Sequence, residues 1–151
     1  MKPLACDAFW TTQPSKTERC LMWLPIIGWT LAAMIEQARF HPMVRSIEQQ
    51  LRDRPDTSQF WGADPRRQRV SSAIRKIAEK ECGWPNDHFI PADPLDLVFW
   101  GHKDGLDDVS AVMRIEKEFG FDLPDSESER RRWQGTLGEL VDRLIANERK
   151  G

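Results

Sequence analysis

Apolar residues along this sequence recur at intervals of three and four, and no stretch alternates as a half-buried strand would. That periodicity restricts the chain to helices packed on helices. The last helix is the plainest case. Thr136-x-x-Glu139 has the form of a capping box, and behind it Leu137, Leu140, Val141, Leu144 and Ile145 fall on one face. Asp64-Pro65 offers an N-cap and a first-turn proline for another helix, striped by Val70, Ala73, Ile74 and Ile77 and ended by Gly83 and Pro85. A third is marked by Leu106, Val109, Val112, Met113 and Phe119 and stops before Gly120, and Ser126-x-x-Glu129 opens a short one after it. Upstream, His41-Pro42 with Val44, Ile47 and Leu51 predicts a helix that Pro55 stops. The fold class is all-α.

At 151 residues and 17.6 kDa, the chain suits one domain, or a smaller domain with an appended segment. Composition places the boundary near Asp64. Residues 1–63 read as a helical, partly hydrophobic extension with a connector, and residues 64–151 as the helical domain proper. The connector from Arg54 to Pro65 is rich in turn residues but holds Phe60 and Trp61, which predicts that it is packed down. The loop from Asn86 to Lys103 carries Phe89, Ile90, Leu95, Leu97, Phe99 and Trp100, and a loop this apolar is expected to lie over a core.

The extension holds sixteen residues without a charge, Cys20 to Ile35, interrupted by Pro25 and Gly28. A spanning helix needs roughly 20 apolar residues, so this run falls short. Three readings stand: packing on the bundle, docking a partner, or a peripheral membrane contact through Trp23 and Trp29. Cys6, Cys20 and Cys82 are an odd number and widely spaced, which suits reduced thiols in the cytoplasm, with membrane association left open. No cysteine or histidine pair has zinc spacing, so no metal is expected.

Charge is close to balanced overall, at −2, which argues against a general nucleic-acid binder. It is unevenly spread, however. Arg66 to Lys80 carries a net +5, while Asp96 to Glu127 carries −6. Solvated faces and helix capping account for part of this pattern, since Asp104, Asp107 and Asp108 surround a helix start. The functional reading is an acidic docking face that steers a basic partner surface. No pair of Asp, Glu or His sits at a spacing a catalytic mechanism requires, and the expectation is that the protein is not an enzyme.

The order of long helix, apolar loop, acidic helix, short helix and amphipathic helix resembles the acyl carrier proteins. The match is carried by Asp104-Gly-Leu-Asp107, Val112-Met113, Glu116 to Phe119, Leu123-Pro124-Asp125 and Thr136 to Leu140, with Arg75-Lys76-Ile77 and Asp96-Leu97 upstream. It covers about Asp64 to Lys150. The resemblance implies a four-helix bundle that carries a phosphopantetheine arm and is met by partner enzymes along its acidic second helix.

One position departs from that pattern. Where the family carries its modified serine, this chain has Gly105, between Asp104 and Leu106. Glycine has no hydroxyl to form the phosphodiester, and a shift of a few residues brings only Asp107 or Asp108 to the place. Ser110 lies five residues on, away from the helix start. The expectation is therefore a carrier-like fold with a degenerate site at Asp104, Gly105 and Leu106 and no cofactor. Its partner-binding residues would be Asp107, Asp108, Val112, Met113, Glu116 and Glu118. The alternatives are a carrier modified at a non-standard serine, Ser110 first, and a membrane-associated adaptor.

Overall fold

The computed structural model describes residues 1–6, 41–99, 107–120 and 135–148, with the backbone alone at 107–109 and 148. All regular structure among the described residues is helical, apart from one isolated antiparallel bridge between Pro94 and Thr136. Cys20 to Ile35, Trp100, the Asp104 to Leu106 site and the Ser126-x-x-Glu129 box lie outside the described residues.

Two compact units divide the chain: Ala5–Gln49, and Met1–Leu4 with Gln50–Gly151. In the first, residues 41–49 are helical and bury Met43, Val44 and Ile47. Helical conformation continues to residue 52, ahead of Pro55. The boundary at residue 49 precedes the one composition suggests at 63. The reason is that the connector belongs to the larger unit: Arg54, Thr57 and Trp61 are all buried there, although Phe60 stays 42% exposed.

Among the described residues of the larger unit, the 3-10 turn Ser58–Trp61 is followed by four helices: α1 is Pro65–Cys82, α2 is Leu95–Val98, α3 is Asp107–Phe119 and α4 is Leu137–Glu148. The ends of α1 follow from its sequence. Asp64 accepts a hydrogen bond from the Arg66 amide at 3.0 Å, Pro65 occupies the first turn, and Gly83 closes the helix with φ +71°, a left-handed geometry that glycine adopts without a Cβ penalty. Such a cap is worth about 1 kcal/mol. At α4 the capping box closes in both directions: the Thr136 amide donates to Glu139 Oε2 (2.9 Å) and the Glu139 amide to Thr136 Oγ1 (3.3 Å).

α1 is the hub, packing against both α3 and α4. Val70, Ile74, Ile77 and Ala78 of α1, Ala111, Val112 and Ile115 of α3, and Leu137, Leu140, Val141 and Leu144 of α4 are buried. Truncating a fully buried leucine or isoleucine in such a core costs about 2–5 kcal/mol. On the surface, Arg67 reaches Asp142 with two hydrogen bonds, of 2.6 and 3.3 Å, tying α1 to α4. Being exposed, that pair contributes roughly 0–1 kcal/mol.

The apolar loop lies on this core as expected, with Phe89, Ile90, Leu95, Leu97 and Phe99 all buried. It is not wholly irregular, because Leu95–Val98 winds one helical turn behind Pro94. The loop is stitched to the start of α4 by backbone bonds from Leu137 to Asp93, from Gly138 to Pro91, and from Leu95 to Gly135. Gly138 suits this close approach: a Cβ there would stand 3.0 Å from the Pro91 carbonyl oxygen, a tight contact.

Candidate functional site

α3 carries the residues that the sequence proposes for partner binding. Its periodicity divides the Val112-Met113 pair cleanly. Val112 is 7% exposed and belongs to the core, so it is withdrawn from the docking surface, whereas Met113 is 65% exposed. The reason is geometric: Ala111, Val112 and Ile115 point to α1, and Met113 falls on the opposite side of the helix. Ser110, Arg114 and Lys117 are exposed with Met113, at spacings that place all four on one face. Glu118 is exposed as well and Glu116 is half-buried. The described outer face of α3 is thus mixed in charge. Asp107 and Asp108 stand in the first turn of the helix, where the backbone alone is described.

A second constellation, not foreseen from the sequence, lies between the connector and the loop. Asp93 is fully buried, and four donors satisfy its carboxylate. Oδ1 accepts from the Leu4 amide (2.8 Å) and Arg54 Nη2 (2.9 Å), while Oδ2 accepts from Arg54 Nη1 (2.6 Å) and the Ile90 amide (2.8 Å). Arg54 also donates to the carbonyls of Lys2 and His88. The His88 ring returns a bond from Nδ1 to the Arg54 carbonyl at 2.8 Å, which requires the tautomer protonated on Nδ1. Every donor to the Asp93 carboxylate is a backbone amide or the Arg54 guanidinium, so the cluster holds the chain together.

Arg75 forms the neighbouring buried cluster. Its Nη1 donates to Thr57 Oγ1 and the Asp87 carbonyl, and its guanidinium stands 5.9 Å from the Trp61 ring centroid. Thr57 and Trp61 in turn both donate to the Phe89 carbonyl. Nε of Arg75 has no hydrogen-bond partner among the described residues. The surrounding groups are those of a structural staple between connector, α1 and loop.

No family model matches the chain, and no solved structure matches it either. The acyl-carrier resemblance stands on the residues quoted for it.

The third feature is a groove of about 390 Å³ between α1 and α3. Arg69, Lys76 and Lys80 of α1 and Arg114 of α3 line it. The net +5 of Arg66 to Lys80 was the signal for this surface, but only the packing of α3 against α1 shows which cations line one groove. Among the described residues no group of three metal-ligating side chains converges, and no helix is long and apolar enough to cross a membrane.

Proposed function

We propose that residues 64–151 are a non-enzymatic, acyl-carrier-like module without a phosphopantetheine arm, which binds a basic protein surface through α3. The observation that carries this reading is Met113, the most exposed of the large hydrophobic side chains among the described residues, held on a helix that opens with Asp107-Asp108. A flexible thioether ringed by charge is the composition of an adaptable contact surface: the apolar side chain anchors, and the charges steer. Gly105 at the family's serine position supports the absence of the arm.

The test compares proteins that co-purify from the native cell with the wild-type chain, with Asp107→Lys/Asp108→Lys/Glu118→Lys, and with Met113→Ala. The expected result is a partner retained by the wild type, absent from the charge reversal and depleted with Met113→Ala. An unchanged set of partners contradicts the reading.

One observation favours a second reading, a carrier modified on Ser110: that hydroxyl is exposed on α3. It differs from the first in requiring covalent modification, which Ser110→Ala would abolish.

A further inference from the structure

We infer that the groove between α1 and α3 is a binding site for an acidic peptide segment of a partner protein, anchored by an apolar side chain. Arg114 and Glu118 line both this groove and the exposed side of α3, but the row of cations and the apolar floor belong to α1, and the inference does not rest on the α3 docking reading.

Three observations point to that chemistry. The cations lie along a line. Arg69, Lys76 and Lys80 are seven and four residues apart on α1, so the row extends over about 16 Å at 1.5 Å per residue. An extended peptide covers that distance in about five residues, whereas a single phosphate or small carboxylate meets only one end of it. Second, the charges are available. Lys76, Lys80 and Arg114 are exposed, and none of the three side chains has an ion pair or hydrogen bond among the described residues.

The third observation concerns the floor and the far margin. Ala73 and the edge of Ile77 lie between the cations, giving an apolar strip that a leucine-sized side chain covers. Glu81 and Glu118 also line the groove. Two carboxylates oppose the uniform negative charge of a nucleic-acid backbone, and the chain's overall −2 adds to that opposition. They leave room for a peptide whose acids face the lysines and whose remaining positions are neutral or basic. Charge complementarity of this kind speeds encounter and selects partners, while the apolar contact slows release.

The experiment is fluorescence anisotropy of the full chain with a fluorescein-labelled peptide of alternating glutamate and leucine. A lysine-leucine peptide and a labelled oligothymidine serve as comparison probes. The expected result is saturable binding of the acidic peptide, weakened at high salt. Lys76→Glu/Lys80→Glu should weaken it by about tenfold or more, and Met113→Ala should leave it unchanged. Lys76→Gln/Lys80→Gln, which removes charge without reversing it, gives an intermediate loss and serves if the reversal disturbs the helix. Absence of saturable binding overturns the inference, as does affinity indifferent to both double variants. Oligothymidine binding as tightly as the peptide overturns it too, and makes the groove a nucleic-acid site.

Discussion

The larger unit uses charge in two opposite ways. Between the connector and the loop, Arg54, Asp93 and Arg75 are buried, and a single carboxylate accepts four hydrogen bonds from three separate segments of chain. Between α1 and α3, Lys76, Lys80 and Arg114 stand in solvent with no partner among the described residues. In the first region, removing any one group strands another in a low-dielectric interior. In the second, water already solvates each charge, so its removal costs the fold little and changes only what the surface attracts. The lesson is that a charge run mixes roles: Arg75 holds the fold from within the same basic run that leaves Lys76 and Lys80 in solvent, and the isolated Arg54 and Asp93 are easily overlooked.

The largest effect should come from breaking the buried cluster. Asp93→Ala leaves Arg54 buried without its counter-charge and the amides of Leu4 and Ile90 unmet, with an expected loss of about 3–5 kcal/mol in denaturant unfolding. The double variant Arg54→Met/Asp93→Leu should recover much of that loss, because a paired deletion leaves no stranded charge. Next comes the cap of α4: Thr136→Ala should cost about 1 kcal/mol, half of the reciprocal box being removed. Smaller still, Lys76→Glu/Lys80→Glu should move stability by no more than about 0.5 kcal/mol while abolishing the groove's preference for an acidic peptide. Equal destabilisation by the groove and cluster variants would erase the contrast between the two regions.

The smallest effect concerns Asp56, exposed at the foot of the connector. The hydroxyl of Ser58, with its amide, donates to Asp56 Oδ1 and holds its carboxyl below the ordinary carboxylate range. A depressed folded-state value means stability that is present above the unfolded value and lost as pH falls through the folded one. Ser58→Ala should raise the Asp56 titration midpoint, read by NMR of the carboxyl carbon, and the stability difference from wild type should vanish in acid.

Much of the helical framework is legible because its signals are local. Asp64, Pro65 and Gly83 bracket α1 within its own sequence, and Thr136 and Glu139 cap α4 three residues apart. The site is legible only in part. Periodicity left Val112 and Met113 open, and the side of α3 that meets α1 decides between them. Asp93 has no sequence signal at all: it sits in a Pro-Ala-Asp-Pro turn, and its partners Arg54 and Leu4 lie 39 and 89 residues away. The boundary at residue 49 escapes for the same reason, since turn residues mark residues 54–65 as a linker while long-range bonds from Arg54, Thr57 and Trp61 bind them to the domain.

We propose that the chain is a carrier-like module that acts through protein contacts and holds no covalent arm. Its most direct test is the intact mass of the purified chain after incubation with coenzyme A and a broad-specificity phosphopantetheinyl transferase, beside a conventional carrier protein. The account predicts full modification of the control and no gain in mass for this chain. A gain of one phosphopantetheine, removed by Ser110→Ala, would contradict it and make the protein a working carrier.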